Sequence, residues 1–359
     1  MSVSQAESLH GTVTAVQANF YHVQLRDVAG SLLCTRRSRL KKIGQRVMVG
    51  DRVLVEEPDF QDRRGAIAQV FERSTVLDRP PVANADQLLL VFALAEPALD
   101  VWQLSRFLVK AESTGLQLLL ALNKQDLLSA TEREVWQRRL TAWGYDVVFL
   151  SVEQDIGIDE LELKLQGKIT IVAGPSGVGK SSLINRLIPD IQLRVGRVSG
   201  KLQRGRHTTR HVELFELSQG GLLADSPGFN QPHWTTLPPD LENYFPEIRA
   251  KLAIEQCEFN DCLHLQEPYC AVRGDWERYE IYQKFLDEAI AYKDNQQQQK
   301  DEESQLKVKI TTEGKEEQEP KLATKKYRRQ SRRERHQNLK DFYEKQSVED
   351  LFTDEDQTD

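Results

Sequence analysis

The segment Gly174-Pro175-Ser176-Gly177-Val178-Gly179-Lys180-Ser181 fits G-x-x-x-x-G-K-[ST] at every fixed position. Glycines at that spacing let backbone N–H groups curl around phosphate oxygens, and a helix starting at Lys180 adds its N-terminal dipole. Lys180 would reach the β- and γ-phosphates, the Ser181 hydroxyl would ligate Mg²⁺, and Ser182 follows at the same helix start. Ile169 to Ala173 is a β-branched apolar run before the loop, and Leu183, Ile184 and Leu187 recur at helical spacing after it. Strand, glycine loop and helix in that order imply that the chain binds a nucleoside triphosphate.

Three further constellations carry chemistry. Asn123-Lys124-Gln125-Asp126 matches N-K-x-D, and the Asp126 carboxylate can accept both N1–H and the exocyclic amino group of guanine, a donor pair adenine lacks. Ser151 stands at the tip of the next strand and joins the candidate nucleotide contacts. Asp225-Ser226-Pro227-Gly228 is a D-x-x-G, a weak pattern alone but here at the end of an apolar run downstream of the phosphate loop. Asp225 would hold a Mg²⁺ water and Gly228 would donate its N–H to the γ-phosphate. Cys257, Cys262, His264 and Cys270 form C-x₄-C-x-H-x₅-C. Three thiolates and one imidazole complete a tetrahedral zinc shell with no open position, so one structural Zn²⁺ per chain is expected.

The elements that must position these residues fall into four segments. Residues 1–78 read as five short strands (Gly11 to Val16, Tyr21 to Leu25, Ser31 to Thr35, Arg46 to Glu56, Gly65 to Phe71), suited to a small barrel of the oligonucleotide-binding (OB) type. Its loop Arg36 to Lys42 holds five cations and no anion. That loop is either simply solvated or tracks a nucleic-acid backbone. Phe20 and Tyr21 either stack on bases or fill the core, and Cys34 reads as a packed strand residue.

Residues 79–238, entered through a linker at Thr75 to Val82, read as α/β. Gln87 to Leu94 and Leu116 to Leu122 are continuous apolar runs of the kind central parallel strands show. Helices are expected over Asp100 to Ser113, Glu132 to Trp143 and Gly157 to Leu165, and strands over Asp146 to Leu150, Val212 to Leu217 and Gly221 to Ala224. Arg194 to Arg210 reads as a mobile loop. Residues 239–293 hold the zinc pattern and a helix from Asp275 to Ala289. From Asp294 a glutamine run opens a charge-rich tail, 294–359, expected to be disordered, with seven cations between Lys325 and Arg335.

An N-K-x-D that precedes the phosphate loop, with a barrel upstream and a zinc pattern downstream, resembles the ribosome small-subunit-dependent GTPase A family. The resemblance covers roughly residues 9 to 290 and implies a circularly permuted P-loop GTPase domain. It further implies GTP/GDP binding with Mg²⁺, a small ribosomal subunit and its rRNA as partners, and GTP hydrolysis coupled to late assembly. Phe229 follows the D-x-x-G where many GTPases place a water-orienting Gln. Gly205 to Arg210 is similar to the family's G-R-H-T-T segment, which makes His207, Thr208 and Thr209 the candidate catalytic residues. His207 would position the attacking water, or else is an exposed loop histidine without a role. A rival reading is a GTP-gated RNA-binding translation regulator with incidental hydrolysis. An ATPase or small-molecule kinase is opposed by Asn123 and Asp126.

Of the residues, 39% are hydrophobic, which supports ordinary cores, and no apolar run nears the ~20 residues that span a bilayer. The first residues lack a basic segment followed by an apolar one, so a cytoplasmic monomer with reduced cysteines and no membrane partner is expected. The net charge of −7 hides a segregation of basic and acidic stretches along the chain.

Overall fold

Alternation from Leu9 to Gln17 turns Val13 and Ala15 inward and makes β1 (Leu9–Gln17). Then come β2 (Phe20–Leu25), β3 (Ser31–Arg36), the short helix α1 (Ser38–Lys42), β4 (Arg52–Asp59) and β5 (Arg64–Val70). They close a barrel in the order β1-β2-β3-β5-β4, with β3 and β5 parallel. Tyr21 and Cys34 fill its core, while Phe20 is half exposed. The computed structural model describes residues 8–26, 28–78, 80–188, 212–225, 238–310 and 316–320, and beyond 297 only the backbone.

Three barrel expectations change. The fourth strand starts at Arg52, because the buried Asp51 carboxylate accepts the N–H of Met48 (2.7 Å) and folds the preceding residues into a turn. Arg73 closes that turn from the far side, 2.7 Å from Asp51. The basic Arg36 to Lys42 stretch is largely helix α1, anchored by the buried Leu40. Its first two cations are engaged, Arg36 with the Gln45 carbonyl (2.9 Å) and Arg37 with Glu56 and Glu57 (3.2 and 2.7 Å). The segment read as a linker pairs β6 (Val76–Asp78) with β7 (Pro81–Ala83). Behind it the buried Asn84 amide donates to the Gly50 carbonyl and accepts from the Ser74 N–H, both at 2.9 Å, tying the barrel to the start of the sheet layer.

The second layer contains β8 (Gln87–Ala93), α2 (Val101–Glu112), β9 (Gln117–Asn123), α3 (Ala130–Ala142), β10 (Val147–Phe149) and α4 (Ile158–Leu165). It continues with β11 (Ile169–Ala173), α5 (Lys180–Leu187), β12 (Leu214–Glu216) and β13 (Leu222–Asp225). The sheet order is β10-β9-β8-β11-β13-β12, parallel apart from the edge strand β12. Every residue of β8 and β11 is buried, which is why both read as apolar runs without alternation. Leu88, Leu90 and Phe92 pack against α2, and Leu89, Val91 and Ala93 against α4 and α5.

A third core gathers around a helical turn at Pro238–Tyr244, helix α6 (Pro246–Ile254), which sequence periodicity did not announce, and α7 (Tyr279–Gln305). Helix α7 starts later than expected and runs through the glutamine stretch, where order was expected to fade. Gln, Lys and Glu are good helix formers even without an apolar face. Leu306–Ile310 (β14) then pairs with Glu316–Pro320 (β15). The chain divides into two compact units, Met1–Tyr292 and Lys293–Asp359. Residues 321–359, including the basic block, lie outside the described residues.

Arg278 joins the third core to the sheet layer. It is fully buried, grips Glu247 with two hydrogen bonds (2.7 and 2.5 Å), and lies over the rings of Trp143, Tyr145 and Phe245 at 4.7, 5.5 and 4.9 Å. Removing one partner of such a pair strands the other charge. Arg278→Ala should therefore destabilise the protein by about 3–5 kcal/mol, measured by urea unfolding.

Candidate nucleotide site and metal centre

The N-K-x-D, Ser151, phosphate-loop and Asp225 residues stand at the C-terminal edge of one parallel sheet, where open α/β sheets bind ligands. The phosphate loop leaves β11 and enters α5 with Gly174, Gly177 and Gly179 at φ of 142°, 86° and 95°. At Gly174 a Cβ would lie 2.1 Å from the Val91 carbonyl, and at Gly179 it would lie 2.3 Å from the Asn123 amide nitrogen. Glycine is therefore required at both positions by close approach as well as by backbone sign. Pro175 and Val178 are buried, whereas Ser176 and Gly177 are exposed and Ser181 and Ser182 are half-buried at the start of α5.

Lys180 is 7% exposed, and its ammonium donates to the carbonyls of Gly174 (2.8 Å) and Pro175 (2.5 Å). Burial lowers its pKa and the Asp225 carboxylate opposes that shift. Asp225 pairs with Val172 across β13 and β11, beside the strand that leads into the phosphate loop. Lys180 and Asp225 are what a phosphate and Mg²⁺ site needs, a cation for the phosphates and a carboxylate for the metal's water.

Asn123 ends β9 and is buried. Its amide donates to the Val178 carbonyl (2.9 Å) in the phosphate loop and accepts the N–H of Val152 (3.2 Å) beyond β10. One side chain thus ties three loops together. Lys124 takes the left-handed conformation (φ 64°), and its ammonium donates to the Glu96 carbonyl. Gln125 bonds back to the Phe149 carbonyl (3.0 Å), and the buried Ser151 hydroxyl accepts the N–H of Gln154 (3.1 Å). Asp126 comes next, with one carboxylate oxygen buried and unpartnered. A buried acceptor left without a donor costs about 1–3 kcal/mol, so its retention here fits a ligand that supplies the donor. His207, Thr208, Thr209, Gly228 and Phe229 lie outside the described residues.

The Cys₃His cluster passes a geometric test. Zn–S near 2.3 Å and Zn–N near 2.0–2.1 Å in a tetrahedron require S···S of about 3.8 Å and S···N of about 3.6 Å. His264 Nδ1 lies 3.6, 3.5 and 3.5 Å from the sulfurs of Cys257, Cys262 and Cys270, and Cys257 and Cys270 are 3.9 Å apart. These residues would hold a metal ion among themselves. Burial pushes the Cys262 thiol up to about 12. At Cys270 burial acts in the same direction but is outweighed by the Arg273 N–H and the His264 ring, leaving about 7. The distal nitrogen of His264 faces Glu242 at 2.8 Å, and Tyr279 holds the His264 carbonyl at 2.8 Å. Glu242 lies 22 residues before His264. No spacing rule could have found it, although a carboxylate behind a metal-binding histidine is a recurrent arrangement.

An OB-type barrel, a parallel sheet whose N-K-x-D strand precedes its phosphate-loop strand, and a closed Cys₃His cluster define a circularly permuted P-loop GTPase. The RsgA GTPase family model matches residues 70–235, and a model described as 50S ribosome-binding GTPase matches residues 169–309. A Trichormus variabilis protein named small ribosomal subunit biogenesis GTPase RsgA is 60% identical over 369 residues, covering 96% of this chain and 100% of that one. An Arabidopsis thaliana relative of the same name, numbered 1 and mitochondrial, is 43% identical and covers 92% of this chain and 85% of its own. Among solved structures, YjeQ from Thermotoga maritima is similar at 32% identity and TM-score 0.67 over 79% of this chain and 99% of that one. YloQ, described as a circularly permuted GTPase, matches at 30% identity and TM-score 0.67 over 81% and 98%. The chain belongs to the RsgA GTPase family and is a GTP-hydrolysing enzyme.

Two outcomes test the sites. Asp126→Asn should weaken GTP binding by about 2–5 kcal/mol and shift preference toward xanthosine triphosphate, read by nucleotide competition. Metal analysis should find one zinc per chain, and chelation should melt the Cys₃His unit while the barrel's β-sheet circular dichroism persists.

Proposed function

We propose that the protein is a cytoplasmic, monomeric GTPase that binds the small ribosomal subunit and couples GTP hydrolysis to its late assembly. Asp126 carries the guanine part of this reading, since it leaves a buried oxygen without a donor three residues after Asn123, whose amide bonds the phosphate loop. The names of the curated relatives support the subunit as partner and favour assembly over a translation regulator with incidental hydrolysis. Among the described residues no helix is long and apolar enough to cross a membrane.

In the proposed mechanism Gly174 to Ser182 wrap the phosphates and Lys180 turns from its loop carbonyls toward the β- and γ-oxygens. Ser181 and Asp225 would hold Mg²⁺, which would supply charge neutralisation at the phosphoryl oxygens. Asn123, Lys124 and Asp126 seat the guanine, with Gln125 and Ser151 bracing them. Gly228 would donate to the γ-phosphate, Thr208 or Thr209 would help hold the metal, and His207 would orient the attacking water because Phe229 has no group to do so. Cys257, Cys262, His264 and Cys270 would hold a structural Zn²⁺. Of the Arg36 to Lys42 stretch, Arg39, Lys41 and Lys42 in α1 would meet rRNA phosphates.

The test is GTP turnover of the full chain with and without purified small subunits, beside co-sedimentation. Stimulated turnover is expected in the parent, and its loss with near-normal GTP affinity in His207→Ala. Co-sedimentation without stimulation would favour the regulator, and full stimulation of the variant would remove His207 from catalysis.

A further inference from the structure

The loop between β8 and α2 reaches the candidate nucleotide site from a side that none of the sequence motifs marks. Its Glu96 carbonyl accepts the Lys124 ammonium, and Pro97 Cδ lies 3.9 Å from the position a Cβ on Gly177 would take. One loop therefore bonds to the N-K-x-D and comes near the phosphate loop at Gly177. Asp100 caps helix α2 at the loop's end, accepting the N–H of Trp102 at 3.0 Å, so the end of the loop is tied to the first turn of α2.

Helix α2 is held between two cores. Leu104, Phe107, Leu108 and Ala111 pack on the sheet. Trp102, Arg106 and Val109, at i, i+4 and i+7, face the Cys₃His unit instead. Val109 is fully buried among Leu241, Phe245 and Ile248. Arg106 makes a bidentate pair with Glu288 of α7 (2.9 and 2.7 Å) and lies 5.0 Å over the Phe285 ring. Trp102 meets Phe285 edge-on at 5.0 Å with Lys284 above it at 5.1 Å, and Arg249 pairs with Glu112 at the other end of α2 (2.9 Å).

We propose that Trp102 and Arg106 are positioning residues for the nucleotide site: docking of the Cys₃His unit on α2 seats the Glu96–Pro97 loop, which in turn seats Lys124 against the base. Glu96 and Pro97 thereby form a further wall of the site. The link is thermodynamically reciprocal, so a bound guanine nucleotide tightens the hold of α2 on the Cys₃His unit. This inference rests on the guanine reading of Asp126, whose own failure would show as absent guanine preference in the parent protein.

The experiment uses the zinc-loaded full chain, with fluorescent mant-GDP as probe and GTP turnover at saturating substrate. Arg106→Glu should weaken mant-GDP binding and raise KM by about tenfold while kcat stays within twofold. The swapped pair Arg106→Glu with Glu288→Arg should restore both, and Trp102→Ala should repeat the affinity loss. Hydrogen exchange on the folded variant should report faster opening of the 94–100 loop with zinc content unchanged. Unchanged affinity in a folded Arg106→Glu, or an affinity loss that the swapped pair does not restore, would overturn the proposal. Should Arg106→Glu fail to fold, Trp102→Ala decides on the same readouts.

Discussion

The nucleotide site depends on one buried amide. Asn123 must find partners for both ends of its side chain, since an unsatisfied polar group inside a protein costs more than a made bond gains. It finds them in two other loops, the Val178 carbonyl and the Val152 N–H. That is possible because β9, β10 and β11 end at the same edge of one sheet, with β8 alone between β9 and β11. Gly179 is the complementary condition, since a side chain there would drive into the amide. Permutation of the chain leaves this untouched. Hydrogen bonds respond to where strands end, not to the order in which the chain visits them.

The Cys₃His unit solves a different problem. Its core is modest, and much of it is aromatic: Phe245, Trp276, Tyr282 and Phe285 meet at centroid distances of 5.4 to 6.4 Å. Four ligand atoms within 4.8 Å of one another let a metal supply folding energy that so small a core cannot. The unit also leans on its neighbour. Arg278 sits in an aromatic cage to which Trp143 and Tyr145 of the sheet layer contribute, and Glu277 bonds the Trp143 indole at 2.7 Å. Removing one member of a buried pair of this kind costs more than the intact pair contributes in net terms, because it leaves a charge without its partner.

Most of the chemistry was legible in sequence because it depends on short spacings. Gly174 to Ser181 and Asn123 to Asp126 act through neighbouring residues of one strand end. The four Cys₃His residues lie within one short segment, and their ligand atoms come within 4.8 Å of one another. The parallel strands were legible too, since burial on both faces leaves an uninterrupted apolar signature in Gln87 to Ala93 and Ile169 to Ala173. The short strands of the barrel showed through alternation, apart from the turn that Asp51 imposes on residues 46–51.

The sequence by itself determined which residues are candidates for phosphate, guanine and metal, and the permuted order in which they occur. Tertiary structure alone decided what braces them. Glu242 behind His264, the Glu96 carbonyl beneath Lys124, Arg37 paired with Glu56 and Glu57, and α2 shared by two cores all join residues far apart in the chain. No periodicity records such pairs, because a local pattern reflects only which face of an element is buried. What that face is buried against is set when distant elements compete for the same surface. The stretch at Arg36 to Lys42 is the clearest case: its charge was plain in sequence, but only the fold revealed that two of its five cations were already engaged.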